Sequence, residues 1–251
     1  MLALQNISKS FSSMRPALDN ISFSLQKGDF CVVIGHNGSG KSTLLKAISG
    51  EICADKGNIK LNQQDITHHP IHERAQLISS VLQDTTKGTI GEMTLLENLS
   101  LSLMRAKKAS FGLFKREYQQ LKDKMSALGL NLEQYMHEPL ANLSGGQRQL
   151  IATIMATLAR PQLLLLDEHC SALDPKTHHQ VMAYTHKMIT EQGLTALMIT
   201  HHLNDAISYG NRLIMLSQGK IILDLNANEK KGLTVPKLLD AFHQYEGATQ
   251  C

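Results

Sequence analysis

The sequence predicts an α/β fold: a largely parallel sheet covered by helices on both faces, with a helical block inserted midway. Three observations predict it. Short apolar runs alternate with helix-like stretches on both sides of the middle of the chain, and a glycine-rich loop joins one run to a helix. From Thr94 to about Ala159 the apolar spacing turns helical. In chain order, Leu18 to Leu25 alternates, with Ile21, Phe23 and Leu25 on one face; Lys27-Gly28-Asp29 then turns into the apolar run Phe30–Ile34. A helix-like stretch follows from Ser42 to Ser49. Gly57-Asn58-Ile59-Lys60-Leu61 alternates again and is ended by the polar run Asn62 to Asp65, and Ile78–Leu82 closes a strand-rich first part. In the middle block Leu95, Leu96, Leu99 and Leu103 share a helical face, as do Leu150, Ile151, Ile154, Met155 and Leu158. Beyond it Leu163–Leu166 reads as a strand, Asp174-Pro175 as a helix N-cap with a first-turn proline, and Gly193 as that helix's stop. Thr195–Ile199 is the next strand; Arg212–Leu216 and Lys220–Leu225 form a hairpin turning at Gln218-Gly219. The organisation predicted is one domain, 1–251. Its core comprises 1–84 and 161–226, its helical subdomain 85–160 and its C-terminal helical tail 227–251.

Composition bounds the function. In 251 residues, 42% apolar and 19% charged is an ordinary globular mix, and a net charge of +3 is too small to argue for nucleic acid. Cys31, Cys53, Cys170 and Cys251 are scattered with no C-x-x-C pair, which suits reduced thiols in a cytosolic protein. The start, Met1–Asn6, lacks the regions of a signal peptide, and no apolar run approaches the ~20 residues that span a bilayer. The expectation is a soluble chain that cannot itself form a pore.

Gly35-His36-Asn37-Gly38-Ser39-Gly40-Lys41-Ser42-Thr43 fits G-x-x-x-x-G-K-[S/T] at every fixed position, between a strand and a helix. Glycines let backbone N–H groups point inward around the β- and γ-phosphates. Lys41 adds a point charge, Ser42 can ligate Mg²⁺, and the helix N-terminus favours the anion. A plain glycine turn leaves Lys41-Ser42-Thr43 unexplained. Leu163–Leu166 delivers Asp167 and Glu168 to a strand's C-terminal edge, where such sheets place their ligands. Asp167 there would hold the Mg²⁺ shell. Glu168 would polarise or deprotonate the attacking water. Thr200-His201 closes another strand in the same manner, placing a histidine near a γ-phosphate, and Gln83 follows the Ile78–Leu82 strand, where an amide can touch Mg²⁺ or water and withdraw.

With Leu143-Ser144-Gly145-Gly146-Gln147 and Ser171-Ala172-Leu173-Asp174, these segments occur in the order seen in ATP-binding-cassette ATPases, which the chain resembles over nearly its whole length. The resemblance implies a P-loop NTPase (RecA-like) core with an antiparallel β subdomain and an inserted α-helical subdomain. It implies ATP and Mg²⁺, and that Ser144, Gly145, Gly146 and Gln147 contact the γ-phosphate of ATP held on another subunit. Gly145-Gly146 opening a helix N-terminus agrees with that role. One P-loop and one signature per chain then require two copies, head to tail, with Asp174 coupling the sites. Phe11 is the candidate for stacking on adenine, at ~1–3 kcal/mol per stacked base.

After Glu168 most relatives read Pro-Thr, and this chain reads His169-Cys170, a lineage variant rather than a metal pair. Glu-His with the segment Ala172-Leu173-Asp174-Pro175-Lys176-Thr177 resembles bacterial importer ATPases assigned to amino acids, often tryptophan or tyrosine. The resemblance implies an integral membrane permease, indirectly a solute-binding protein, no nucleic acid, and a peripheral place on the cytoplasmic face of the inner membrane. The permease is expected between core and helical block near Gln83 to Asn98, with Ile90, Leu95 and Leu96 as its apolar contacts. The basic residues Arg105, Lys107, Lys108, Lys115, Arg116, Lys122 and Lys124 read as a solvated helical face, and the doublets His68-His69 and His178-His179 as surface residues. The alternative from another class is an ABC ATPase serving no channel, such as an iron–sulfur cluster assembly factor. Export instead of import is also open.

Overall fold

The computed structural model describes residues 1–12, 15–104, 119, 121–123, 125–126 and 131–247. Of the basic residues, Lys122 is described; Arg105, Lys107, Lys108, Lys115, Arg116 and Lys124 lie outside the described residues, as does Cys251. Two sheets organise the chain. The antiparallel one runs β2(Leu18–Leu25), β1(Leu2–Lys9), β4(Lys56–Leu61), β5(Gln64–Asp65). The other has six strands in the order β10(Lys220–Leu225), β9(Arg212–Ser217), β3(Phe30–Ile34), β8(Thr195–Ile199), β7(Leu163–Asp167), β6(Ile78–Val81). Every pair in it is parallel except β9 with β10.

The apolar strands make sense because both faces of this sheet are covered. Along β3, Phe30, Val32 and Ile34 enter one core with α4(Gly145–Leu158) and α5(Pro175–Gln192). Cys31 and Val33 enter the other, with α1(Lys41–Ser49) and the antiparallel sheet. Leu164 and Leu166 against Leu163 and Leu165 repeat the division on β7. The short helices α2(Ile71–Arg74), α6(Leu203–Ser208) and α7(Ala227–Lys230) and the longer α3(Leu95–Met104) and α8(Val235–Gly247) complete the set used below.

Two local features lie outside the sequence reading, and one expectation is corrected. The individual strand β1 carries no clean alternation, because Asn6, at φ 54°, inserts a bulge and the register shifts between Leu4 and Ile7. The polar run after Leu61 holds a tight turn: Asn62 and Gln63, at φ 50° and 69°, lead into β5. Leu95 is fully buried and Leu96 is packed against the core, so of the three apolar residues expected to face a permease only Ile90 is exposed. Leu95 instead anchors α3 beside Asn98. The buried Asn98 amide accepts from Ile90 N–H at 2.9 Å and donates to the carbonyls of Ile90, Met93 and Thr94 at 3.0–3.2 Å.

Lys230 gives the fold a measurable pH response. Its ammonium is buried, donates to the carbonyls of Tyr209 and Gly210, and is pushed down to about 8 by burial. Below that pH both folded and unfolded chains hold the proton. Between about 8 and 10.5 the folded chain has released a proton that the unfolded chain still binds, so this residue's contribution to stability rises with pH. Lys230→Met is expected to remove that rise. Denaturant melts of both proteins across the window test it, and parallel curves would exclude the effect.

Candidate active site

The phosphate loop leaves the end of β3 and enters α1 through Gly40, whose φ of 104° no side chain favours and whose Cβ would stand 2.4 Å from the Ala17 carbonyl. The loop between β1 and β2 therefore lies against it. Lys41 is buried, and its Nζ donates to the Gly35 and His36 carbonyls at 2.7 and 2.9 Å. Burial pulls its pKa down, while Glu168 and Asp167 oppose the shift. Ser39 Oγ is buried with no hydrogen-bond partner. A cation and an unfilled hydroxyl, framed by the first N–H groups of α1, suit a phosphate.

The carboxylates arrive from β7. Asp167 is half-buried; burial and then the neighbouring Glu168 raise its pKa, and its hydrogen bond with the Ser42 side chain works against the rise. Glu168 has a φ of 46°, a conformation worth about 1–3 kcal/mol of strain in a non-glycine residue, and its N–H is held by the Ile199 carbonyl at 3.1 Å. This left-handed turn leaves Glu168 Oε2 3.3 Å from Nδ1 of His201, the residue after β8 and Thr200. Gln83, exposed after β6, donates from Nε2 to Ser171 Oγ at 3.0 Å, joining it to the turn after Glu168.

The second glycine motif lies on another element. Ser144 caps α4: its hydroxyl accepts from Gln147 N–H at 3.3 Å, and Gln147 Oε1 accepts from Ser144 N–H at 2.9 Å. A Cβ on Gly145 would meet nothing within 4 Å, whereas one on Gly146 would lie 2.2 Å from Thr177 Cγ2. Thr177 follows Asp174, the cap of α5, which accepts from Lys176 and Thr177 N–H at 3.1 and 3.2 Å. The two glycines therefore differ in kind. Gly146→Ala is expected to push α4 off α5 and lower Tm, while Gly145→Ala, whose methyl enters open space, keeps Tm. Thermal melts on both check this; equal Tm losses would refute it. Phe11 stands 67% exposed, with Lys9 Nζ 5.6 Å above its ring.

A model of the ABC transporter family matches residues 18–171. This chain belongs to the ABC transporter family. A tyrosine transport ATP-binding protein of Clostridioides difficile (strain R20291) is 42% identical over 96% of this chain and 98% of its own length. An energy-coupling factor transporter ATP-binding protein, EcfA of Enterococcus faecium, is 31% identical over 83% of this chain and 72% of its own. A relative in Onion yellows phytoplasma (strain OY-M), 35% identical, is longer, and this chain spans 37% of it. Among solved structures, a nucleotide-free cassette from an ABC transporter superposes with TM-score 0.78 at 29% identity, covering 96% of this chain and 98% of its own. A dimeric cassette in a post-hydrolysis state with ADP and Pi gives 0.77 at 28%, covering 90% and 99%.

The chain is thus an ABC ATPase, the ATP-binding subunit of an ABC transporter. Its loop, Asp167, Glu168 and His201 form one continuous site, and Gln83 reaches that site's rim through Ser171. The contact found for the signature segment is with α5. For Mg²⁺ the donor set fits: a hydroxyl and a half-buried carboxylate already paired, Ser42 and Asp167, offer the hard oxygens that ion takes beside phosphates and water. When bound, the ion would neutralise phosphate charge there.

Two residues are not where the sequence reading put them. His178 is no surface residue: with its side chain 12% exposed, Nε2 lies 2.8 Å from Asp205 Oδ2. His69 is half-buried beside Glu73 at 3.4 Å, and His68 is exposed as expected. His169 and Cys170 are both buried; burial pushes His169 down to about 3 and the Cys170 thiol up. The sequence reading missed Phe242 altogether. Its ring meets His36 edge-on at 4.8 Å, so α8 closes one side of a cavity of about 520 Å³ beside Asn37 and His201. Nothing in a contact spanning two hundred residues of chain announces it.

Proposed function

We propose that the chain hydrolyses ATP with Mg²⁺ as one half of a head-to-tail homodimer. This pair drives a membrane permease for uptake of an amino acid, on the cytoplasmic face of the cell membrane, with a solute-binding protein upstream. The observation that carries the amino-acid transport reading is the 42% identity, across nearly both full lengths, to a tyrosine transport ATP-binding protein. Among the described residues no helix is long and apolar enough to cross a membrane, and in this reading the permease supplies the path for the solute. In this reading Lys41 and the loop N–H groups hold the β- and γ-phosphates, Ser42, Asp167 and Gln83 face Mg²⁺, and Phe11 stacks on adenine. Glu168 takes a proton from the attacking water; His201 touches the γ-phosphate.

The open side of Gly145 supports the dimer. A helix N-terminus with room in front of it and its small residue facing outward suits the phosphate of ATP on a second copy, with Asp174 lying alongside at the start of α5. The exposed Ile90, whose loop Asn98 pins to α3, is the proposed apolar contact for the permease. A rigid loop passes closure of the dimer to the membrane subunit instead of absorbing it.

Tagged Glu168→Gln protein drawn from native membranes with ATP present tests the assembly. Recovery of a polytopic membrane protein is expected, and that protein's identity names the solute. Recovery of soluble partners alone, with the chain absent from membranes, would overturn the transport reading in favour of an assembly factor.

A further inference from the structure

Behind the hydrolysis site lies a second set of polar groups that the family's motifs do not use. His178 sits one turn into α5 with its ring between two acceptors: Nδ1 lies 3.1 Å from the Cys170 carbonyl and Nε2 2.8 Å from Asp205 Oδ2. A carbonyl and a carboxylate offer only lone pairs, so the ring serves both at once only with a hydrogen on each nitrogen, as the imidazolium. Both members are well covered, at 12% and 11% side-chain exposure, which makes the pair less screened than a surface one.

What the ring joins is specific. Cys170 is two residues beyond Glu168, inside the turn that Glu168 enters at φ 46°. Asp205 lies on α6, whose cap is His202, next to His201. The His202 ring stands 4.8 Å from that of His178 and 4.3 Å from that of His201, and His201 closes the circuit on Glu168 at 3.3 Å. One side chain thus ties the turn carrying the carboxylate to the helix carrying the histidine. It does so from α5, whose cap is Asp174.

We propose that His178, bound through both ring nitrogens to the Cys170 carbonyl and Asp205, is a proton-dependent positioning residue that sets the Glu168–His201 geometry for ATP hydrolysis. The inference rests on the roles given above to Glu168 and His201. Loss of the ring proton breaks one of the two bonds and frees either the turn or α6; misplacement by an ångström costs up to ~10²-fold in rate. The other groups around it are Glu168, His169, His179, His201 and His202. Burial keeps His169 uncharged and raises the Cys170 thiol and the Tyr209 phenol, so Asp205 is the counter-charge in direct contact.

The test measures kcat and KM for ATP with the full chain from about pH 6 to 9, across the range where histidine titrates. Wild-type kcat is expected to fall on the alkaline side with KM unchanged. His178→Arg, which keeps charge and donors but does not titrate, flattens that fall; Asp205→Asn, which weakens the acceptor for the ring, lowers kcat. His178→Gln lowers kcat about 10- to 100-fold at every pH with Tm nearly unchanged. An alkaline limb unchanged in His178→Arg, or full activity in His178→Gln or Asp205→Asn, overturns the proposal and leaves a packing contact. Should the variants unfold, ¹⁵N spectra of the wild-type ring decide: two N–H groups on His178 near neutral pH support the proposal, a single one overturns it. Glu168→Gln assayed in parallel separates the readings. Retained activity there refutes the role of Glu168, while a dead Glu168→Gln beside silent His178 variants refutes only this inference.

Discussion

Glu168→Gln is expected to lower ATP turnover by about 10²–10⁴-fold while ATP binding persists, the range typical of losing a general base. The amide keeps the size of the side chain and loses the ability to take a proton. Its position is unusual enough to make it sensitive. It ends β7 in a left-handed conformation, held by the Ile199 carbonyl at 3.1 Å, with His201 Nδ1 3.3 Å from its carboxylate. Strain of that kind persists only where the surroundings over-determine it. The substitution also removes a negative charge that raises the pKa of Asp167, which favours the ionised form of that carboxyl. Steady-state hydrolysis and gel filtration with ATP read both effects: slow turnover and a persistent dimer. Turnover within a few-fold of wild type would remove Glu168 from the mechanism.

The largest stability loss is expected at Arg74, a residue outside every motif. Its guanidinium is 2% exposed and donates to four carbonyls, those of Ala47, Ile48, Thr67 and His69, at 2.7 to 3.0 Å. Ala47 and Ile48 are in the last turn of α1, the helix whose first turn faces the phosphate loop. A cation at that end satisfies orphan carbonyls and opposes the negative pole of the helix. Arg74→Met keeps the stem but leaves these acceptors buried and unmet, at a cost of about 3–5 kcal/mol in all. For a domain of this size that is a fall in Tm on the order of 10 °C. Arg74→Lys recovers little, because an ammonium cannot fork to four acceptors. A Tm within about 2 °C of wild type for Arg74→Met would show that water replaces the guanidinium there.

Much of the fold was legible because its signals are local. A strand buried on both faces must be continuously apolar, as Phe30–Ile34 and Leu163–Leu166 are, and the cap, proline and glycine that bound α5 act within a turn of their own positions. Gln218 and Gly219, at φ 47° and 78°, reverse the β9–β10 hairpin where the sequence marks it. The strand β1 escaped for an equally local reason: the bulge at Asn6 shifts its inward positions from Leu2 and Leu4 to Ile7, so period-two counting fails midway. For α3 the shared face of Leu95, Leu96, Leu99 and Leu103 was legible, and what covers it was not. Periodicity shows which residues share a face, and only the packed structure shows whether that face is covered. Leu95 is at 0% exposure, Leu101 at 41%.

The site divides along the same line. The sequence by itself determined which polar residues stand at the strand ends, the glycine loop with Lys41 and Ser42, the Asp167-Glu168 pair and His201, and which glycines open α4. Each is a backbone or spacing requirement that a few neighbouring residues meet. Tertiary structure alone decided that Gly146 is fixed by Thr177 while Gly145 is open, that Phe242 of the last helix leans on His36, and that Arg74 braces α1 from across a loop. It also turned His178 from a surface residue into a bridge between the Cys170 carbonyl, in the turn after Glu168, and Asp205 on α6. Those are pairings between elements far apart in the chain. A side chain's partner there is set by how the elements pack, and nothing in its own neighbourhood records the partner.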